Sequence, residues 1–298
     1  MALTSRGYVQ QDVVVRFAPS PNGLLHMGHA YAAIVAHDFA RNKGGRVLLR
    51  MEDIDIQRSR PEYTDAILED MRWLGLIFDE EVIYQSRRFK DYDAALQRLI
   101  RMGVTYPCFC TRSELRTVHE KGKAEIGPDG PIYPGTCRGL SADEAANRMQ
   151  SEAFCLRLDA EKVAQQCGRL VWNDEYRGEQ FADHAVLGDV IIQPKDTPVS
   201  YHVAVSLDDA RDGISHVVRG KDLLASTHVH RFLQALLELP TPDYVHHPVL
   251  LDETGYKLGK SRNSASLAIL RQGGIDGQKL ADQLRENIFP VGITLSKD

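Results

Sequence analysis

The chain reads as an α/β protein built on a parallel sheet, on three observations. Short apolar runs alternate with helical stretches from residue 13 to about residue 106. Pro19, Pro21 and Gly23 force a turn between the first apolar run and the first helical one. The alternation then resumes after an irregular middle segment. In order, Val13, Val14 and Val15 form a buried strand, and an apolar helix over 30–40 is expected to begin at His29. A strand over 46–51 follows, then helices over 61–74 and 89–102. From residue 108 to about 180 the pattern breaks into a glycine- and proline-rich stretch over 122–139 and a strand-like piece over 154–158, which marks an insertion. An apolar run over 199–207, a strand over 216–219, a helix over 223–239 and a strand over 244–251 complete the sheet. Leu280, Ala281, Leu284 and Ile288 stand at helical spacing and make the packing face of a short helical tail.

The junction of first strand and first helix carries the chemistry. Ligands of open α/β sheets sit beyond the carboxyl ends of the strands, so Arg16 to Ser20 and Glu52, each just past a strand, should face one crevice. The first N–H groups of the helix lack partners and carry the positive end of its dipole, which favours an anion beside His26 and His29. Gly28, between them, lets a flat ring approach the backbone. Far along the chain, Lys257 and Lys260 stand three apart in a loop marked by Gly255 and Gly259, where they could close over a triphosphate.

With 298 residues, 43% of them hydrophobic, the chain can bury one large core or two modest ones. A net charge of -5 does not mark a nucleic-acid binder, so any RNA contact must rest on local groups such as Arg87, Arg88 and Lys90, or Arg211, Arg219 and Lys221. No apolar run approaches the roughly 18 residues of a membrane span, and no basic leader opens the chain, so a cytoplasmic protein is expected. Five cysteines suit reduced thiols or a metal site better than a disulfide framework. Cys108, Cys110 and Cys137 supply three thiolates for a structural zinc, and by composition His119 is the usual fourth ligand. Cys155 and Cys167 are expected to be unliganded. His228 and His230 face different directions on a helix, and His246 and His247 opposite faces of a strand. Asp208 and Asp209 read as an acidic helix end; none of these pairs is assigned a site.

His26-Met27-Gly28-His29 and Lys257-Leu258-Gly259-Lys260-Ser261 resemble the HIGH and KMSKS signatures of class I aminoacyl-tRNA synthetases. Arg16 to Ser20 together with Arg50 to Asp55 resembles the glutamyl branch of that class. Gly259 stands where the family commonly has serine, which makes the loop more flexible and leaves both lysines in place. The resemblance implies a Rossmann-like catalytic domain split in two, over 1–107 and 191–243. It also implies a zinc-bearing, tRNA-holding insertion over 108–190, and a KMSKS-like loop with a helical stem over 244–298. The sequence ends 37 residues after Ser261, so the family's helical anticodon-binding domains are not expected. That arrangement resembles the truncated paralogues, the glutamyl-Q tRNA(Asp) synthetases, which attach glutamate to the queuosine base in the anticodon of tRNA(Asp).

For a member of that group the resemblance implies ATP-dependent formation of glutamyl-adenylate, with Mg²⁺ accompanying ATP. It makes His26, His29, Lys257 and Lys260 catalytic, with His26, Gly28, His29 and Lys260 at the ATP. Glutamate would be held by Arg16, Phe17, Ala18, Pro19, Ser20, Glu52, Tyr201 and Arg219. Arginine suits the carboxylates and Glu52 the α-ammonium group. For zinc it points away from His119: the family pattern is Cys-x-Cys, then Tyr-x-x-x-Cys, which gives Cys108, Cys110, Tyr133 and Cys137. The expected partners are L-glutamate, ATP and the anticodon arm of tRNA(Asp), with no membrane, acting as a monomer. A compact synthetase charging a tRNA 3′ end and a non-catalytic zinc-bearing RNA-binding module are the competing readings.

Overall fold

The computed structural model describes residues 12–122, 125–128, 130–259 and 265–297. Val14–Phe17 is buried along its whole length and pairs in parallel with Arg46–Met51, Val14 opposite Arg46 and Phe17 opposite Leu49. Ile83–Tyr84, too short to give a periodic signal, adds a third parallel strand beyond Arg46–Met51. In a second sheet His216–Gly220, Asp243–His247 and Val171–Asp174 run parallel, and Gly178–Phe181 pairs antiparallel with the last of them. The two sheets meet at Val14. Its N–H donates to Ser215 Oγ at 2.8 Å, and its carbonyl accepts from the Ser215 N–H at 3.0 Å. Val14, Leu48, Trp172, Val217 and Tyr244 close one apolar core across that seam. The sheet thus takes in two strands, Val171–Asp174 and Gly178–Phe181, from within the segment 108–190.

The first helix spans Met27–Asn42, so the expected start at His29 is two residues late. The reason is an imidazole cap. His26 has extended backbone, its Nδ1 accepts the Gly28 N–H at 3.1 Å, and its own N–H donates to His29 Nδ1 at 3.1 Å. This is the reciprocal capping box, with histidines in place of the usual serine and glutamate. The chain returns to Arg46–Met51 through Gly45, where a β-carbon would stand 2.3 Å from the Val13 carbonyl oxygen; only glycine fits.

Pro61–Trp73 and Phe89–Arg101 form close to expectation, and the apolar run over 199–207 becomes the helix Tyr201–Arg211. The run over 244–251 divides into Asp243–His247 and Leu250–Leu251 because Pro248, lacking an N–H, interrupts the ladder. In the tail, Gly277–Arg285 buries Leu280, Ala281 and Leu284. Ile288, expected on that face, lies beyond the helix end and is exposed, because Asn287 turns the chain with φ 56°. The irregular middle builds its own antiparallel sheet from Thr105–Cys108, Cys155–Leu158 and Ile191–Gln193. Among the described residues no helix is long and apolar enough to cross a membrane.

Candidate active site and cysteine cluster

The carboxyl ends of Val14–Phe17, Arg46–Met51 and His216–Gly220 open into a cleft of about 740 Å³. Its walls bring together Arg16, Phe17, Ala18, Pro19, Ser20 and Glu52 from the first two strands. His26, Gly28 and His29 come from the helix cap, Tyr201 and Arg219 from the second half of the fold, and Lys257 and Gly259 from the lysine loop. Every sequence-derived candidate for glutamate and ATP that falls within the described residues lines this one cleft. Lys260 lies outside them. The Glu52 N–H donates to the Pro19 carbonyl at 3.0 Å, tying the two loops together. The His26 and His29 rings lie 3.8 Å apart at the helix start. A β-carbon on Gly28 would press to 3.0 Å from the His26 ring, so glycine here keeps the cap and the cleft open together.

Arg219 is the most informative side chain. It is 6% exposed and donates to four neutral groups: His246 Nε2 at 3.2 Å, Tyr201 Oη at 3.2 Å, His230 Nδ1 at 3.3 Å and Thr227 Oγ1 at 2.7 Å. Among the described residues no carboxylate forms an ion pair with it. The one acid in its network, Asp174, reaches it only through His246, whose Nδ1 is 2.6 Å from Asp174 Oδ2. A buried guanidinium without a counter-ion is costly, and a ligand carboxylate is its natural complement.

Arg16 differs. Its Nε and Nη2 grip Asp209 at 2.9 and 3.3 Å, and its Nη1 donates to the Val218 carbonyl. Asp209 also takes Arg50 at 2.8 Å, while Arg50 and Arg88 share Asp212. Burial alone would push the Asp209 carboxyl up, but Arg16 and Arg50 outweigh it and hold it below the usual range. Asp208 accepts from Gln85, Arg88 and Tyr92. The acidic pair read as a helix end is therefore a buried brace beneath the cleft. Glu52 stands apart from that brace, with 12% of its side chain exposed to the cleft and Arg50 at 3.9 Å. Burial pushes its carboxyl up to about 7, against the pull of Arg50 and Arg16.

Sequence reasoning missed Arg50, Thr227, His230 and His246 as parts of the site. Thr227 and His230 stand three apart on Leu224–Leu237 and so share a helix face. That spacing was the available signal; their meeting with Arg219 depends on the sheet. Arg88 and Arg219, named as possible RNA contacts, are committed inward. Lys257 reaches across the cleft mouth to an ion pair with Asp222.

The cysteine cluster lies in the insertion. The Sγ atoms of Cys108, Cys110 and Cys137 all lie within 4.8 Å of one another. Tyr133 Oη joins them, 3.4 Å from Cys108 Sγ and 3.6 Å from Cys110 Sγ, and it accepts the Cys137 N–H at 2.9 Å. Three thiols at this spacing could hold a metal ion such as zinc, which takes thiolate ligands, and the phenol oxygen stands beside them. His119, the fourth ligand that composition alone favours, is not part of the cluster. The Cys155 thiol instead donates to the Cys108 carbonyl at 3.5 Å. Between this cluster and the first cleft runs a second cleft of about 930 Å³. It shares Ser20, Asn22, Glu52 and Tyr201 with the first and reaches Tyr133.

The comparisons with known proteins agree with this geometry. The family model described as tRNA synthetases class I (E and Q), catalytic domain, matches residues 12–292. The chain is 41% identical over 269 residues to a glutamyl-Q tRNA(Asp) synthetase from Rhodobacter capsulatus, covering 88% of this chain and 96% of that one. It is 37% identical to a glutamate–tRNA ligase from Oleidesulfovibrio alaskensis, covering 91% of this chain and 56% of that relative. Among solved structures, the glutamate-tRNA synthetase from Elizabethkingia anophelis superposes with a TM-score of 0.71 at 28% identity, over 84% of this chain and 53% of that chain. The chain thus spans about half the length of that ligase and that synthetase. With the cleft at the strand ends, the imidazole-capped helix and a family match running nearly end to end, the chain belongs to the class I tRNA synthetases for glutamate and glutamine, a family of ligases.

Proposed function

We propose that the protein activates L-glutamate with ATP to glutamyl-adenylate and passes the glutamyl group to the queuosine base in the anticodon of tRNA(Asp). The observation that carries glutamate is Arg219, a buried guanidinium without a carboxylate, in the same cleft as Glu52. Arg219 meets the side-chain carboxylate with its charge and with the one N–H that its four neutral partners leave over, and Glu52 takes the α-ammonium. Tyr201 caps the pocket, with Ser20 and the backbone of Phe17, Ala18 and Pro19 forming its wall. Arg16, braced by Asp209, directs its remaining N–H groups to the substrate.

The α-carboxylate then attacks the α-phosphorus of ATP and pyrophosphate leaves. No protein nucleophile is needed, and catalysis is positioning plus neutralisation of phosphate charge. His26, His29 and the helix N-terminus serve the α-phosphate, Gly28 admits the adenine ring, and Lys257 and Lys260 meet the leaving pyrophosphate. Magnesium accompanies ATP, held largely by phosphate and water.

The acceptor nucleoside enters by the second cleft, where its hydroxyl displaces AMP from the adenylate. Cys108, Cys110 and Cys137, with Tyr133 beside them, would hold a zinc ion, which would supply a structural cross-link on the insertion's side of that cleft. The protein acts as a monomer, and its five free cysteines suit the reducing cytoplasm.

The near full-length match to a glutamyl-Q tRNA(Asp) synthetase favours queuosine as acceptor. The 37% identity to a glutamate–tRNA ligase keeps transfer to a tRNA 3′ end as the second reading. A third, a binding module without catalysis, has no use for His26, His29 and Lys257 lining one cleft. Labelled glutamate offered with ATP should appear on queuosine-containing tRNA(Asp) and on neither unmodified tRNA(Asp) nor tRNA(Glu). Label on tRNA(Glu) would establish the second reading instead. Absence of glutamate-dependent pyrophosphate exchange would establish the third.

Glu52 makes glutamate binding pH-dependent. Its carboxyl, pushed up to about 7 by burial, loses its charge as pH falls, and with it the attraction for the ammonium group. Affinity for glutamate should therefore drop below pH 7, by up to about tenfold per pH unit, and Glu52→Gln should bind weakly at every pH. Calorimetric titration from pH 5.5 to 8.5 checks this; a flat wild-type profile would remove Glu52 from ammonium recognition.

A further inference from the structure

His202 follows Tyr201 on the helix Tyr201–Arg211 and lines the second cleft. Its Nδ1 lies 3.2 Å from His230 Nε2, and His230 Nδ1 lies 3.3 Å from the Arg219 guanidinium. The proton positions along this row follow from its last member. A guanidinium only donates, so His230 Nδ1 must accept. A neutral imidazole then carries its proton on Nε2 and donates it to His202 Nδ1. His202 Nδ1 is an acceptor in turn, which leaves the His202 proton on Nε2. Burial and the positive charge of Arg219 both hold the two rings neutral, pushing the His202 imidazole down to about 4. Among the described residues the only hydrogen bond of the His202 ring is the one at Nδ1, so Nε2–H is the donor left for the cleft.

We propose that His202 is a specificity-determining residue for the acceptor, donating its Nε2–H to an oxygen of the nucleoside bound in the second cleft. This rests on the reading of that cleft as the acceptor's entry. The arginine that takes glutamate then also sets, through His230, the tautomer that meets the acceptor. A nucleoside presenting an N–H at that point meets a second donor and is refused, whereas an oxygen is received. The ordinary alternative is a ring that merely props His230, whose centroid lies 5.3 Å away.

Two measurements separate these. First, ¹⁵N-labelled histidine spectra of the full chain without tRNA should show His202 as the Nε2–H tautomer; an Nδ1–H tautomer overturns the proposal whatever the acceptor. Second, pyrophosphate exchange and single-turnover transfer to queuosine-containing tRNA(Asp) are compared in His202→Phe and His202→Gln. Loss of one hydrogen bond in His202→Phe should lower transfer about tenfold more than exchange, with partial recovery in His202→Gln, which keeps an N–H donor. Equal losses in both assays, or none in either, would overturn the role. Wild-type exchange without wild-type transfer to this tRNA would instead sink the acceptor reading, with the tautomer still testing the histidine row.

Discussion

Arg219→Leu should raise the glutamate concentration for half-maximal pyrophosphate exchange by about 100-fold while ATP dependence stays nearly unchanged. The magnitude follows from the loss of a buried, charge-assisted contact to a carboxylate, worth about 3 kcal/mol. Arg219→Lys should recover little, because an ammonium has three donors where the guanidinium has five and leaves Thr227, His230, His246 and Tyr201 incompletely satisfied. Leucine removes the positive charge on which the neutral histidines lean, so the fold must be checked by melting before the kinetics are compared. Parallel losses of glutamate and ATP dependence would show that Arg219 holds the sheet together and does not select the substrate.

Cys108→Ser should take zinc from one ion per chain to nearly none, read by elemental analysis of the purified protein. A serine hydroxyl does not replace a thiolate, and structural zinc sites commonly contribute on the order of 10 kcal/mol of apparent binding energy to folding. The loss should therefore unfold the insertion locally. Hydrogen exchange in Thr105–Cys108 and Cys155–Leu158 should accelerate. Transfer to tRNA should fail before glutamate activation does, because the first cleft draws no wall from the cluster. Tyr133→Phe keeps three thiolates and should weaken zinc retention against a chelator without abolishing it. A stoichiometry that stays at one in Cys108→Ser would remove that thiol from the ligand set.

How legible each feature was depended on whether its information is local. The strand–turn–helix junction at Arg16 to His29 is contiguous, and Pro19, Pro21, Gly23 and Gly28 mark it in the sequence itself. Only its helix start was misplaced, because an imidazole cap has no common sequence signal. The splitting of 244–251 was present in Pro248. By contrast, Asp208 and Asp209 look like surface acids at a helix end until Arg16, Arg50 and Arg88 arrive from three other elements. For the cysteine cluster, thiol spacing nominated Cys108, Cys110 and Cys137, whose Sγ atoms the fold brings within 4.8 Å of one another. Tyr133 was named from the family pattern alone, and only the fold shows its phenol oxygen beside two of the thiols, with His119 outside the cluster.

Alternating periodicity, turn residues and the two short signatures were enough to place this chain among α/β synthetase domains and to nominate the groups that handle phosphate. These are properties of neighbouring residues, and neighbours in sequence stay neighbours in any fold. The state of each nominated group was decided by the tertiary structure alone. Arg16 and Arg219 are the same residue type at the ends of adjacent strands, yet one is neutralised by Asp209 and the other is left with neutral partners. Charge compensation in a buried site is set by what the sheet brings within about 4 Å, where Coulomb energies outweigh local preference.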